Sequence, residues 1–353
     1  MEKSSSISNF RNIPAGVAGV IVLFILAESI FRVLWNPNFV GERIYSRFEP
    51  NYRYGYDEHT PIFLNTGSAL VCLPTQYAQF HKQYLLKTKL KNEVRIFTLG
   101  GSVSRGDKVS NYSNYLEDAL NKSAPQHVWR VINLSADGYG SSRMLLLMKK
   151  ALAYEPDIFI LHVHGSNEYE DERDFKYQQE INSEINRMVF ASQFLVLSRK
   201  VFNYLTSTTK PESDDESEIK ASSIPSNILR WNANIEKNLE AMIRIAKDKG
   251  IGLVLIARAE RNDGAEGYCD EETIEINRII KEAQESYFFS LFVDTPTVMQ
   301  SYYPLRNGKN VLFTDNTHWA DEGHKLIAAK LAPDVVELVE SKPLFSSSQK
   351  SEK

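Results

Sequence analysis

The chain has 353 residues, 42% hydrophobic and 24% charged, with a formal net charge of −4. That length allows one large domain or two small ones, and the composition is that of a globular protein. The slight acidity gives no reason to invoke a nucleic-acid partner, and Cys72 and Cys269 carry no zinc-like spacing.

After residues 1–12 comes a run from Ile13 to Trp35 that is charged only at Glu28 and Arg32. A helix over this run is long enough for the roughly 30 Å hydrocarbon layer of a membrane, with Trp35 at an interface. The small-x-small cleavage pattern of a secretory signal does not follow it. Residues 13–35 are therefore expected as a single-pass anchor in the cell membrane. Residues 1–12 are then cytoplasmic, and the remainder faces the periplasm or exterior. Lys3 and Arg11 before the span and Arg32 and Arg43 after it set this orientation only weakly. In an oxidising space Cys72 and Cys269 either pair or remain two buried thiols.

Residues 36–90, rich in tyrosine (Tyr45, Tyr52, Tyr54, Tyr56), show no clear period. They are expected as an extension that packs on the edge of a sheet or helps line a cleft. Short apolar runs then predict strands at Val94–Leu99, Val131–Leu134, Ile158–Val163, Leu253–Ala257 and Phe292–Asp294. Helical patterns fall between and after them, at Tyr112–Asn121, Ser142–Tyr154, Ile228–Lys249, Glu271–Ser286 and Glu322–Leu331. The alternation predicts an α/β fold, a three-layer α/β/α sandwich around a central, mainly parallel five-stranded sheet. Within a domain spanning 91–340, residues 170–227 read as an insertion: a helical segment, Phe175 to Leu205, and then a Ser- and acid-rich exposed loop. Residues 341–353 read as a frayed tail.

The chemistry-bearing residues follow these strands. Gly100-Gly101-Ser102-Val103-Ser104 comes after the first, which presents Ser102 at the carboxyl end of a parallel strand, where ligands bind in such sheets. Asp315-Asn316-Thr317-His318 offers a carboxylate and an imidazole on one turn. A serine hydroxyl is a poor nucleophile at neutral pH until a base takes its proton, and a carboxylate on the far nitrogen of that base fixes its tautomer. Ser102, His318 and Asp315 supply these three roles. The bland alternatives are a Gly-rich strand-to-helix turn and an Asp that caps the helix near Ala320. After the second strand the chain reads Ser135-Ala136-Asp137-Gly138, and after the third His164-Gly165-Ser166-Asn167-Glu168. Backbone N–H groups of Ser102 and Gly138 and the Asn167 amide could hold a developing oxyanion.

In this order and these contexts, Ser102, Gly138, Asn167 and His318 resemble the four name-giving residues of the SGNH hydrolases, also called the GDSL esterase/lipase superfamily. The resemblance covers roughly Val94 to Leu331. It departs from the family pattern at Gly101, where Asp is usual, and at Glu168, where Asp is again usual. What it implies is transfer of an ester's acyl group to water through an acyl-serine intermediate, with no cofactor and no metal. The implied substrate is an acylated small molecule, glycan or lipid. With the expected location, this becomes an acetyl or short acyl ester of an envelope glycan or lipid. Two alternatives stand beside it: an O-acyltransferase with a sugar acceptor, and a catalytically silent envelope-assembly scaffold.

Other residues are weighed against this site. His162 and His164 share one side of a strand, but a metal pair lacks further converging ligands, so they are expected to pack or hydrogen-bond beneath the site. His324 is expected on a solvated helix face. The stretch 258–262, Arg-Ala-Glu-Arg-Asn, either binds a polar or anionic substrate group or forms a salt-bridged loop.

Overall fold

A computed structural model describes residues 15–34, 61–72, 80–182, 226–261, 271–302 and 311–341. The chain divides into two compact units, residues 1–49 with 177–222 and residues 50–176 with 223–353. In the first, the described part of the expected anchor is helix α1, Ala15–Leu34, with Val20, Leu23 and Ile25 exposed. Among residues whose side chains are described, no helix is long and apolar enough to cross a membrane. Residues 1–14, 35–60 and 183–225, Cys269 and residues 342–353 lie outside the described residues.

The second unit is built on a parallel five-stranded sheet. Its strands are β4 (Glu93–Gly100), β5 (Val128–Asn133), β6 (Ile158–His162), β7 (Gly252–Ile256) and β8 (Ser290–Val293), in the spatial order β5-β4-β6-β7-β8. The three inner strands are buried at every position. Their near-continuous Val, Ile, Leu and Phe content follows from burial on both faces, whereas the edge strand β5 alternates at its start. From β4 the chain steps one way to β5, then crosses back over β4 to β6. The direction of winding therefore reverses between β4 and β6, which opens a crevice at their carboxyl ends. The register pairs Gly100 with His162, so both strands end level.

On one face of the sheet, α3 (Tyr112–Ser123) packs against α9 (Asp321–Glu340). On the other lie α4 (Ser141–Ala151), α6 (Ser226–Lys249) and α7 (Glu271–Glu285). A helical turn α2 (Ser102–Arg105), helix α5 (Gly165–Asn182) and helix α8 (Thr295–Ser301) complete the described helices.

Three elements differ from the sequence expectation. Helix α9 does not stop at Leu331 but passes through Pro333, because Val335, Leu338 and Val339 beyond it are buried and continue the apolar face. Helix α5 begins at Gly165, directly after β6, rather than at Phe175. Within 36–90, residues 61–90 contain an antiparallel sheet of β1 (Leu64–Asn65), β2 (Ala69–Cys72) and β3 (Gln83–Leu86). Gln83 bonds both backbone groups of Asn133, with Nε2 donating to the carbonyl at 2.8 Å and Oε1 accepting from N–H at 2.7 Å. The His81 ring lies 3.0 Å from the Arg105 carbonyl. This segment thus meets both the sheet edge at β5 and the turn carrying Ser102.

Candidate active site

Strand β4 ends at Gly100, and Gly101 stays extended (φ −86°) before the chain turns into α2 with Ser102 as its first residue. The turn is one cycle long, closed by Arg105 N–H to the Gly101 carbonyl at 3.0 Å. Asn133 at the end of β5 holds it from below, donating to the Ser104 carbonyl at 3.0 Å and the Arg105 carbonyl at 3.2 Å.

His318 sits on a hairpin tip closed by a bridge between Phe313 and Trp319 and by Thr314 N–H to the His318 carbonyl at 2.9 Å. Arg261 N–H reaches the Asn316 carbonyl at 2.7 Å and ties the tip to the segment after β7. The Asp315 carboxylate accepts from the backbone of Thr317 (2.8 Å) and His318 (2.7 Å). It also lies 2.8 Å from His318 Nδ1, and His318 Nε2 lies 2.9 Å from Ser102 Oγ, 216 positions away in the chain. Asp315 therefore orders its own turn. Helix α9 starts at Asp321 with Ala320 as its cap, so the bland capping role does not describe Asp315. Burial pushes the Asp315 carboxyl up, but the two backbone N–H groups and the His318 ring outweigh it and hold it below its ordinary value. All three side chains are partly or largely exposed, as a site open to substrate requires.

The loop carrying Gly138 and the first turn of α5 carrying Asn167 both reach the end of β4 before Ser102. Asn167, in the first turn of α5, directs its amide nitrogen to the Tyr139 carbonyl at 3.2 Å, beside Gly138. A Cβ on Gly101 would collide with that amide, so Asn167 also abuts the residue before Ser102. Gly138 has φ +70°, and a Cβ there would collide with the Glu170 carboxylate. The positive φ at 138 favours glycine there, whereas at 101 a side chain would have to displace the Asn167 amide.

Arg143 carried no signal in the sequence, and Glu168 stood out there only as a departure from the family pattern. Arg143 on α4, 2% exposed, donates to the Gly138 carbonyl and pairs with Asp171, and it reaches Asp174 at 3.0 Å. It pins the loop that carries Gly138. Glu168 accepts from Ser141 N–H at 2.5 Å, at the start of α4, and from the Asn234 amide at 2.7 Å. Burial, with Asp171 adding to it, pushes its carboxyl up to about 7. The extra methylene of Glu168 lets it brace α4. Behind this brace lies a cavity of about 420 Å³, walled by Glu168, Asn234, Arg230, Trp231 and Phe175 and by no member of the Ser102 group.

His162 is buried with Nδ1 2.8 Å from Ser104 Oγ, and burial first, then Arg258, lowers its pKa to about 3. His164 is buried with Nδ1 2.8 Å from Ser166 Oγ, and burial first holds it well below its ordinary value. His324, expected on a solvated face, is instead 3% exposed and stacked on Tyr112. It lies on the side of α9 that packs on α3, and burial lowers its pKa to about 4. Arg258 and Glu260 pair with each other, with Thr273 donating to Glu260 at 3.1 Å, which is the salt-bridged reading of that stretch. Among the described residues no group of three or more His, Cys, Asp or Glu could hold a metal ion. Cys72 is buried in the core, which pushes its thiol up to about 12.

No family model matches the chain, and a search of curated proteins finds no match. Solved structures do resemble it in outline. An alpha/beta hydrolase from the metagenome of Lake Arreo, Spain, is 15% identical over 69% of this chain and 96% of that one, with a TM-score of 0.44. An acetyl xylan esterase is 16% identical over 69% of this chain and all of that one, with a TM-score of 0.43. A catalytic mutant of an acetylxylan esterase from Geobacillus stearothermophilus is 15% identical over 70% of this chain and 96% of that one, with a TM-score of 0.44.

Proposed function

We propose that this protein is a serine ester hydrolase in which Ser102 is the nucleophile, His318 the general base and acid, and Asp315 the group that orients His318. The observation that carries the reading is the unbroken line of contacts from Ser102 Oγ to His318 Nε2 (2.9 Å) and from His318 Nδ1 to Asp315 Oδ2 (2.8 Å). In this mechanism Ser102 Oγ attacks the ester carbonyl as its proton passes to His318. The tetrahedral oxyanion takes hydrogen bonds from the N–H groups of Ser102 and Gly138 and from the Asn167 amide. His318 returns the proton to the departing alcohol, and water then releases the acid by the same steps in reverse. The substrate we propose is an acetyl or other short acyl ester of an envelope glycan or lipid. We further propose that residues 13–35 tether the enzyme to a membrane, a reading supported by the apolar, outward-facing residues of α1.

A fluorophosphonate probe tests the reaction. Labelling of the wild type and its absence in Ser102→Ala is the expected result, and an unlabelled wild type favours an inert scaffold. Product analysis with and without a glycan acceptor separates hydrolysis from acyl transfer. Release of the protein from membranes by alkaline carbonate alone would refute the tether.

A further inference from the structure

Beneath the triad lies a buried cluster that the proposed reaction leaves unused. Tyr112 opens α3, His162 ends β6, Trp319 follows His318 and His324 lies on α9, and none is more than 4% exposed. The rings of Tyr112, Trp319 and His324 touch one another, with centroids 6.1, 6.3 and 5.7 Å apart, and His162 lies 5.1 Å from Trp319. Three carry a buried polar atom without a hydrogen-bond partner among the described residues, His162 Nε2, Trp319 Nε1 and His324 Nδ1, and the fourth, Tyr112 Oη, is buried beside the Ser104 hydroxyl.

Leaving such an atom dry is costly, and native interiors hold only a few per 100 residues. Three on one set of touching rings, with the Tyr112 hydroxyl among them, call for a shared partner. Trp319 Nε1–H can only donate, a neutral imidazole offers one donor and one acceptor, and a phenol does both. Burial keeps both histidines neutral near pH 7. A mixed set of donors and acceptors suits water, which accepts two hydrogen bonds and donates two, and suits a cation poorly.

We propose that Tyr112, His162, Trp319 and His324 enclose an internal hydration site of one or more ordered waters that positions the nucleophile and its base. Trp319 is joined covalently to His318 and closes its hairpin by the bridge to Phe313. His162 holds Ser104 at 2.8 Å, inside the turn that begins with Ser102. Water bonded to both sides couples the loop bearing the base to the turn bearing the nucleophile. The site itself follows from the four buried atoms, while its consequence for catalysis rests on the serine-hydrolase reading. The four are positioning residues, since they act through Ser104 and through the backbone of His318.

Crystallography of the full chain at high resolution, with Ser102 labelling by a fluorophosphonate, tests both parts. Ordered density is expected within hydrogen-bonding distance of Trp319 Nε1 and of at least one of the other three atoms. Tyr112→Phe, which deletes one oxygen, is expected to lower the maximal labelling rate about tenfold and leave the half-saturating probe concentration unchanged. A role in packing alone would lower Tm and spare that rate. If Tyr112→Phe does not fold, Ser104→Ala reaches the cluster through His162, and the same loss is expected. A dry cluster in the wild type, or folded variants that label at the wild-type rate, would overturn the proposal. A wild type that does not label at all defeats the hydrolase reading and the positioning role with it, while the density still decides the hydration site.

Discussion

Gly101 shows how a single position can be set by a residue far along the chain. Its backbone is ordinary, and what crowds a side chain there is the Asn167 amide beside it. Gly101→Asp, the residue usual in the family it resembles, should displace that amide and remove one oxyanion donor. A fall in kcat of about 10²-fold on a p-nitrophenyl ester is expected. Unchanged turnover would show that Asn167 is not in place for catalysis. At this scale much was legible in the sequence: Ser102, Asp315 and His318 stand out by type, spacing and position after strands. Arg143 was not legible as a support, because a charged side chain on a helix normally faces water and nothing local marks the one that turns inward, and the sequence marked Glu168 without showing what it braces.

Among elements, the loop carrying Gly138 is held less by its own sequence than by α4 and α5. Arg143 reaches back from α4 to the Gly138 carbonyl, and Asp171 and Asp174 on α5 satisfy its guanidinium. Removing one partner of a buried ion pair strands the other charge, which costs about 3–5 kcal/mol. Arg143→Met is therefore expected to lower the denaturation midpoint by that free energy and to lower turnover in the molecules that remain folded. Unchanged stability in urea would mean that the cluster contributes nothing net. The strand runs and most helices could be read from period and composition, with ends displaced by a few residues. Pro333 illustrates the limit: a proline argues for a helix end, yet the apolar face beyond it keeps α9 in the core.

For the whole molecule, burial of titratable groups sets the response to pH. His162 and His324, with pKa values lowered to about 3 and about 4, and His164, lowered as well, refuse protons that the unfolded chain accepts below about 6.5. Stability due to them is complete above that pH and is lost as pH falls toward 4. Glu168, raised to about 7, works in the opposite sense, since the folded chain keeps a proton that the unfolded chain releases above 4.5. Glu170, also raised by burial, works with Glu168, but the three histidines outweigh them, so urea midpoints should fall between pH 6.5 and pH 5. Glu168→Gln should steepen that fall by removing one opposing group. A midpoint that rises on acidification would contradict the assignment of these histidines as neutral and buried. What the sequence by itself determined was local: which runs are strands, which turns follow them, and which residue types are offered there. Only the tertiary structure decided that Ser102 meets His318, that Asn167 crowds Gly101, and that four buried rings gather beneath them. Periodicity records each residue's burial relative to its near neighbours, whereas contact between distant loops depends on strand order and register, which no local pattern carries.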